Sequence, residues 1–514
     1  MNMKLRSLGW WIDGGLVGGL VLALLFLSQS LRMVDSEIWS FYLAHNWNPF
    51  EGSLTGFFWK PLQVLLLRSL SIFSPVEVSM DSFLATGRQF WSLLFSIQLL
   101  LIIRIANRLH VSKTMMIFGA GILFLSRYYL VESLRVRADS LAMIFLLVIV
   151  LEMIRSFQKI EDQESSSTSV FLFATFFGVL STLKFLPQFL FVLILGAYFF
   201  KNQRRSILRS SLLNVSSIAI FFGVVALFPE GRQIVTNVFR SLGAAGSSIE
   251  KYQENLPFVF DQLVYLFPFW ILEGFLLFRS MKNQSTDGRI NGFLASFALT
   301  HSLVVLLHPE PFPWYAATTL PIHVLCVLRA IHCFGLYPTF QKFGWKVPAI
   351  GFLLMLLGFL NAFRNFPGMK DQTQAIQDLS RLSHLMEVKT YYDNCGLISD
   401  KRHTLPFITA SQDFDLMVAE QMFRDSPPDL IIISGRTTLL LPKISDILER
   451  EYEIDSQLHG IMIRKSLLQS LQASGKFGKK SPKEVFNDFD WGGDWKFGSL
   501  FSPYLGYRFL TGIR

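Results

Sequence analysis

The chain has 514 residues, of which 51% are hydrophobic and only 17% are charged, and its mean hydropathy is +0.40. Soluble domains usually carry about 25% charged residues, so the composition excludes an ordinary soluble protein and indicates an α-helical membrane protein. The formal net charge of +9 would favour nucleic-acid binding in a soluble chain. Here the basic residues lie between apolar segments, where they indicate membrane topology, and we expect no nucleic-acid partner.

Apolar segments recur up to residue 366 and predict about eleven transmembrane helices. The first segment is longer than a signal-peptide core of about 7–15 residues, so we interpret it as a retained span. Several later segments are nearer ~16 residues than the ~20 of a straight crossing, which predicts some short or broken helices. The predicted spans are 10–31, 86–108, 114–131, 138–155, 168–183, 185–200, 207–228, 258–278, 290–307, 313–333 and 346–366.

The stretch 168–200 decides the predicted topology. Lys184 and Pro187 interrupt it, and we predict a helical hairpin there rather than one tilted helix. With the hairpin, every loop on one side of the membrane is basic and the opposite loops contain more acidic residues. A single helix would end this alternation beyond residue 200. The positive-inside rule then predicts a cytoplasmic N-terminus and places residues 367–514 on the outer side.

The first outer loop, 32–85, combines charged, aromatic and apolar residues. Charged residues from Arg32 to Glu37 lie directly at its start, and an aromatic stretch follows them. Leu62–Leu70 is apolar but too short to span a bilayer. We therefore predict that this segment forms a helix lying in the membrane interface.

The C-terminal part changes character and predicts a soluble α/β domain over residues 367–466, after a transmembrane domain over residues 1–366. Apolar and β-branched runs predict strands at Tyr391–Ser399, Asp429–Ser434 and Gly460–Arg464. Helical periodicity appears at 374–387 and 442–451. Residues 467–514 are rich in glycine, aromatic residues and turns, and remain unassigned.

Acidic and basic residues at the predicted outer boundary are the candidates for chemistry. Asp35 and Glu37 follow the first span, and could act as a general base or a metal ligand, or only end a helix as a polar collar. Arg135, Arg137 and Asp139 lie between two spans. Arginine can contact two phosphate oxygens at once, but Arg135 and Asp139 could equally form an ordinary helix-surface salt bridge.

A proline-rich outer loop supplies further candidates. It contains His308 and Glu310, which could belong to a divalent-metal site, and Trp314 and Tyr315, which could stack on a sugar or form an interfacial belt. Two lysines are also candidates for binding a lipid phosphate, although long basic side chains often only reach toward headgroups. These lysines are Lys60 and Lys184.

The order of these motifs resembles the C-type glycosyltransferase superfamily, in particular the branch of protein O-mannosyltransferases and the bacterial lipid A aminoarabinose transferase. The resemblance covers roughly residues 10–466 and depends on the order and spacing of motifs rather than on any single one. The motifs are Asp35-Ser-Glu37-Ile-Trp-Ser-Phe-Tyr42, Lys60-Pro61-Leu62, Gly87-Arg88, Arg137-Ala-Asp139-Ser-Leu-Ala-Met, Leu180-Ser-Thr-Leu-Lys184-Phe-Leu-Pro187, His308–Pro321 and Pro428-Asp429-Leu-Ile-Ile-Ile-Ser434.

The resemblance implies inverting transfer of a sugar from a polyprenyl-phosphate carrier to a lipid, glycan or protein acceptor on the outer face. Asp35 would correspond to the catalytic base, and Glu37 and Asp139 to further acids that position the acceptor or hold a metal. The lipid phosphate would be bound by basic residues, for which Arg135, Arg137, Lys184 and Lys60 are the candidates. Some relatives use a divalent metal ion and others do not, so the resemblance leaves the metal dependence of this chain undecided.

Two other classes of function fit the same sequence. A transporter or flippase of lipid-linked saccharides would place charged residues inside the spans and repeat related halves, whereas we find few such charges and no repeat. A non-catalytic scaffold would tolerate changes of the outer acids. The compact loops and the family branch predict a bacterial inner membrane, with membrane lipids around the spans and a periplasmic C-terminal domain.

Overall fold

Apolar segments give this chain its helices, because a helix satisfies its own backbone hydrogen bonds without help from solvent. A computed structural model describes residues 18–29, 35–45, 60–72, 80–158, 164–200, 204–227, 232, 235–236, 256–283, 285–306, 313–364, 369–393, 396–398, 401–404, 413–433, 437–454 and 460–493. The helices up to residue 364 are α1 (Gly18–Gln29), α2 (Asp35–His45), α3 (Pro61–Ile72), α4 (Met80–Arg108), α5 (Lys113–Leu125), α6 (Arg127–Leu134), α7 (Ala138–Gln158), α8 (Glu164–Ser181), α9 (Leu186–Phe199), α10 (Arg204–Ala226), α11 (Leu256–Lys282), α12 (Thr286–Leu306), α13 (Pro313–Cys333), α14 (Tyr337–Lys342) and α15 (Lys346–Arg364).

By length and composition, three segments within the described residues could cross a membrane: Phe83–Arg108, Ala138–Gln158 and Ile207–Ala226. The predicted helix at Leu62–Leu70 is confirmed as α3. Helix α2 is a finding of the structure, because the sequence indicated only an aromatic loop there.

The predicted span 114–131 is wrong at its C-terminal end. Helix α5 stops at Leu125, and α6 begins at Arg127. Ser126 between them is extended, with φ −70° and ψ 100°, and its hydroxyl accepts a hydrogen bond from the backbone N–H of Tyr129. A serine that caps a new helix in this way ends the preceding one.

The predicted hairpin over 168–200 is confirmed. Helix α8 ends at Ser181, and a 3₁₀ turn at Leu183–Phe185 leads into α9. Helix α10 begins soon after α9 ends, and its Ser210 donates to the carbonyl oxygen of Thr168 near the start of α8 at 3.2 Å. The end of α9 is thereby brought back beside the start of α8.

Helices α5 and α15 approach closely through glycines. A Cβ atom on Gly121 would lie 2.6 Å from the carbonyl oxygen of Gly351, and one on Gly351 would lie 2.7 Å from the carbonyl oxygen of Ile117. Neither position can hold a side chain without moving a backbone. Small residues permit such close helix contacts in membrane proteins, where backbone packing drives association.

Residues 369–493 are called the C-terminal unit below. A mixed five-stranded sheet of order β2-β1-β3-β5-β4 forms its centre, with β1 parallel to both β2 and β3, and β5 antiparallel to β3 and β4. Its elements are α16 (Met369–Leu385), β1 (Thr390–Tyr392), β2 (Arg402–His403), α17 (Asp413–Asp425), β3 (Leu430–Ile432), α18 (Thr437–Leu440), a 3₁₀ turn (Leu441–Ile444), α19 (Ser445–Glu451), β4 (Tyr452–Ile454), β5 (Ile461–Arg464), α20 (Lys465–Ala473) and α21 (Pro482–Asn487).

Alternate residues of the strands face two separate cores, as the two-residue period of a strand requires. In β3, Leu430 and Ile432 face one core and Ile431 faces the other. The first core also contains the buried faces of α16 and α2, including Trp39 and Tyr42. The sheet is therefore packed directly on α2.

The predicted strands at 429–434 and 460–464 are confirmed as β3 and β5, and helix 374–387 as α16. The strand predicted over Tyr391–Ser399 is wrong beyond Tyr392, because the Asp393 carboxylate binds the backbone N–H groups of Gly396 and Leu397 and turns the chain. The helix predicted at 442–451 begins as the 3₁₀ turn. Within the unassigned tail, the described residues include α21 and an aromatic segment that packs on the first core.

Candidate active site

Glu37 and Arg88 form a buried ion pair between α2 and α4. Arg88 donates through Nε to Glu37 Oε1 at 2.9 Å and through Nη2 to Oε2 at 2.8 Å, and both side chains are fully buried. Its Nη1 donates to the carbonyl oxygen of Ser28 in α1 at 3.0 Å. A planar guanidinium matches a carboxylate in this two-bond geometry, so one arginine fixes three helices against each other.

The surroundings of Glu37 favour its charged form. Burial alone would raise the pKa of the Glu37 carboxyl, but Arg88, and after it Arg135 and the backbone N–H of Val136, bring that pKa below its ordinary value of 4.5. Val136 donates to Glu37 Oε1 at 3.1 Å. The carboxylate is thus ionised at neutral pH and holds a second segment of the chain.

That segment, Arg135–Arg137, connects α6 to α7, and the Arg135 N–H closes the last turn of α6 by donating to the carbonyl oxygen of Val131 at 3.2 Å. The N–H of Val136 donates to Glu37, and its carbonyl oxygen accepts from Gln63 Nε2 of α3 at 2.8 Å. The carbonyl oxygen of Arg137 accepts from Trp91 Nε1 of α4 at 3.0 Å. Backbone groups that are buried outside regular structure need such partners. Contacts with α2, α3 and α4 therefore fix the backbone position of Arg135 and Arg137.

Two arginines and two acids meet beside this segment. Glu132, in the last turn of α6, accepts from Nη1 of Arg135 and, at 2.8 Å, from Nη1 of Arg137. Arg137 Nε lies 3.3 Å from Asp139 Oδ2. In these contacts Arg135 pairs with Glu132 and not with Asp139. The Arg135–Asp139 salt bridge that the four-residue spacing allowed is therefore not formed, and Asp139 pairs with Arg137 instead.

The four charged side chains are only 10–15% exposed, yet three of them reach an opening. Glu132, Arg137 and Asp139 line a small cavity with Gln98 of α4 and Thr318 of α13. Asp139 lies in the first turn of α7, where the helix dipole favours an acid. A guanidinium at such an opening can bind phosphate oxygens with strong, charge-assisted hydrogen bonds.

Lys60 belongs to the same cluster. Its Nζ donates to Ser40 Oγ on α2, and Gln63 Nε2 lies 3.3 Å from the same hydroxyl oxygen. Since Gln63 also binds Val136, one continuous set of hydrogen bonds joins the lysine, α2 and the arginine segment.

Comparisons with known proteins identify the fold. No protein-family model matches the chain, and no curated protein matches it in sequence. ArnT from Cupriavidus metallidurans bound to undecaprenyl phosphate gives a TM-score of 0.56 at 13% identity, covering 84% of this chain and 94% of that one. The apo state of ArnT gives a TM-score of 0.53 at 12% identity, covering 85% and 95%. This chain has the fold of a C-type glycosyltransferase.

The C-type fold confirms the resemblance drawn from the order of the motifs. Within it, Asp35 is the first residue of α2, two positions before Glu37, and its side chain lies outside the described part of the chain. Lys184 lies in the 3₁₀ turn between α8 and α9, and its side chain likewise lies outside that part.

The proline-rich loop is only partly described. His308 and Glu310 lie outside the described residues, and Trp314 and Tyr315 lie in the first turn of α13 with side chains that are outside them as well. The structure thus brings together Glu37, Asp139, Arg135, Arg137 and Lys60 among the candidates. The roles assigned to the other candidates remain predictions.

Sequence reasoning missed three residues that build this charged cluster. Arg88 appeared only as part of a motif at the start of a span, although a cation at the edge of an apolar helix is itself a sign of a buried partner. Glu132 stands close to the arginines in the sequence, but its position alone gave it no role. Gln63 has no comparable signal, because an amide in an amphipathic helix is usually on its solvated side.

The described side chains do not form a metal site. Among them, no three His, Cys, Asp or Glu residues are close enough to hold one ion. Glu132 and Asp139 both pair with Arg137, and carboxylates that are neutralised by a guanidinium fit a divalent cation poorly. The ligand sets considered around Asp35 and His308 involve side chains outside this part of the chain.

Proposed function

We propose that this chain is an integral-membrane glycosyltransferase that moves a sugar from a polyprenyl-phosphate carrier to an acceptor, with inversion at the anomeric carbon. The observation that carries the proposal is the cluster of Lys60, Arg135 and Arg137 just before the starts of α3 and α7, on a fold shared with ArnT. One of the two ArnT structures is bound to undecaprenyl phosphate. A cationic cluster of this kind has the chemistry to bind that lipid's phosphate.

The reaction needs a base and a stabilised leaving group. A hydroxyl oxygen of the acceptor forms a bond to the anomeric carbon, and the bond from that carbon to the phosphate oxygen breaks. Asp35 is our candidate for the base that takes the hydroxyl proton, and the polyprenyl phosphate leaves with the electron pair. Arg137 and Arg135 would stabilise the charge that develops on the phosphate, and Asp139 would keep Arg137 oriented.

The proposed arrangement in the membrane follows from the charges of the loops. It has about eleven spans over residues 1–366, a cytoplasmic N-terminus and a soluble domain over residues 367–466 on the outer face. In a bacterial inner membrane that face is periplasmic. The acceptor is a lipid, glycan or protein that is reached from this side, and a divalent ion is compatible with the proposal but not required by it.

Transfer from radiolabelled polyprenyl-phosphate sugars by the purified protein tests the proposal. We expect Asp35→Asn to lower transfer at least about 10²-fold, since it removes a general base. The matched control is Asp371→Asn, which changes another aspartate in the first turn of a helix, at an exposed position in α16. It should leave transfer within about twofold of wild type.

A second pair of variants tests the phosphate site. Arg137→Gln should raise the donor's KM, while Arg155→Gln at the opposite end of α7 should not. Equal transfer by wild type and Asp35→Asn would refute the role of Asp35 and make Asp139 the next candidate for the base. A folded wild type without transfer from any donor would refute the proposal and favour a transporter or a scaffold.

A further inference from the structure

Tyr42 of α2 is bonded to a distant part of the chain. Its hydroxyl accepts from the backbone N–H of His403 at 2.8 Å and donates to the carbonyl oxygen of Lys401 at 3.3 Å. The tyrosine is only 5% exposed. Both hydrogen-bonding directions of a buried phenol are therefore used on one short segment of the C-terminal unit.

A turn in the same unit is shaped to receive this tyrosine. Gly396 has φ +79°, and a Cβ atom there would lie only 2.5 Å from Tyr42 Cβ. The turn is held by Asp393, whose carboxylate accepts from the N–H groups of Gly396 and Leu397, each at 2.7 Å. Both the backbone conformation and the close approach require glycine at this position.

The His403 ring extends the contact along α2. Its centroid lies 4.9 Å from that of Trp39 and 5.6 Å from that of Tyr42, and 5.1 Å from that of Tyr391 in β1. His403 Nε2 lies 3.3 Å from Asp393 Oδ1, and the imidazole is almost fully buried. Aromatic groups in edge-to-face contact contribute stability beyond their buried area, so this is a specific joint rather than a loose contact.

The opposite face of α2 belongs to the candidate active site. Positions 39 and 42 are three apart and share one face of a helix, whereas Glu37 and Ser40 share another. Glu37 binds Arg88 and the arginine segment, and Ser40 binds Lys60. Helix α2 is thus held between the C-terminal unit on one side and the phosphate-site residues on the other.

We propose that the C-terminal unit positions α2 for catalysis, with Tyr42, Gly396 and His403 as the positioning residues. The unit presses on the face of α2 opposite Glu37 and Ser40, and so fixes the position of the α2 backbone, which begins at Asp35, against the arginine segment. This inference rests on the proposed function for its catalytic meaning. The claim that the unit holds α2 in a rigid position does not depend on that function. A displacement of about 1 Å at a reacting group can cost on the order of 10²-fold in rate.

Two variants and a matched control test the proposal. Tyr42→Phe removes only the hydroxyl that binds residues 401–403, and Gly396→Ala inserts a methyl group against Tyr42. The control is Tyr452→Phe, because Tyr452 is also a buried tyrosine of the C-terminal unit whose hydroxyl donates to a backbone carbonyl, that of Pro428, but it faces the other core. Thermal unfolding of all three variants establishes that each one is folded before its activity is compared.

We expect Tyr42→Phe and Gly396→Ala to lower kcat about tenfold or more with the donor's KM unchanged, and to speed amide hydrogen exchange in the peptide that covers 35–45. Tyr452→Phe should change neither kcat nor that exchange, even where it lowers the unfolding temperature as much. Unchanged exchange in α2 for both test variants would overturn the inference. Because exchange needs no transfer reaction, it separates this failure from a failure of the proposed function.

Discussion

The carboxylate of Glu37 accepts from two nitrogens of Arg88 and from the N–H of Val136, so most of its acceptor capacity is used inside the protein. The sequence pairs it with Asp35 as a second acid near the membrane. Full burial next to an arginine favours a different role for Glu37, which is to hold α2, α4 and the arginine segment in one arrangement.

At this scale we expect Glu37→Gln to destabilise the protein in a pH-dependent way. Removing one member of a buried ion pair costs about 3–5 kcal/mol, because the other charge stays buried without its partner. The folded-state pKa of Glu37 lies below 4.5, so its stabilising effect is complete above that value and is lost as the pH falls through the lower, folded-state pKa.

Thermal unfolding in detergent between pH 7 and pH 3 measures this effect. The unfolding temperatures of wild type and Glu37→Gln should differ most at neutral pH and converge in acid. Glu449→Gln, at an exposed position in α19, is the control and should follow wild type throughout. A constant difference over the whole range would show that the charge of Glu37 is not what matters.

At the scale of helices, a chain of buried polar side chains joins α11, α12 and α13. Glu273 Oε1 contacts His323 Nδ1, and His323 Nε2 contacts Ser302 Oγ, with Glu273 and His323 fully buried. An acid, a histidine and a serine in this order resemble a catalytic triad. Because all three are buried, we interpret them as hydrogen bonds that hold the three helices together. Hydrogen bonds between membrane helices contribute about 0.6 kcal/mol on average, whereas an acid left unpaired costs several times more.

We therefore expect His323→Leu, which leaves Glu273 without this partner, to lower the unfolding temperature by several degrees. Ser302→Ala should have a much smaller effect because the pair of Glu273 and His323 remains. His332→Leu provides a control at a more exposed position in the same helix. Equal effects of Ser302→Ala and His323→Leu on the unfolding temperature would contradict this prediction, because they would show that the Ser302 hydroxyl and not the Glu273 pair stabilises the contact.

The predictability of each element follows from the range of the interactions that form it. Strand β3 was predictable because Leu430–Ile432 is a short buried run after two prolines, and the hairpin because loop charges carry topology. The break at Ser126 was hidden, since a serine inside an apolar run is also common within a membrane helix. Helix α2 was missed because Trp39 and Tyr42 are buried by residues that lie far away in the sequence, which no local pattern contains.

The candidate site shows the same limit. Arg137 and Asp139 were found because they are neighbours in sequence, with the charges that phosphate chemistry needs. Arg88 and Gln63 contribute through tertiary contacts with Glu37 and Val136, which become visible only once the helices are packed. Local chemistry therefore identified the cluster, and the fold supplied the parts that hold it in place.

At the scale of the whole molecule, the proposed topology predicts which surfaces a membrane-impermeant thiol reagent can reach. In a cysteine-free background, Ser426→Cys in the C-terminal unit should be labelled on spheroplasts without permeabilisation. Lys282→Cys, at the end of α11, should be labelled only after the membrane is opened, because its basic loop is cytoplasmic in this topology. Both positions are exposed in the fold.

The two labelling patterns decide between arrangements. If both positions react only after permeabilisation, the number of spans between them is even rather than odd, and the C-terminal unit is cytoplasmic. That result would also refute an active site on the outer face, because α2 and the C-terminal unit share one core.

The bonds between Tyr42 and residues 401–403 span 359 and 361 positions of the chain, and this has a consequence for biogenesis. At a synthesis rate of about 5–20 residues per second, α2 leaves the ribosome roughly 20–70 s before its partner does. During that interval the aromatic face of α2 has no core to enter, and it must be covered by lipid headgroups or a chaperone. A chain that is truncated before β2 keeps this exposed face permanently, which makes it a substrate for quality-control proteases even when every span has been inserted.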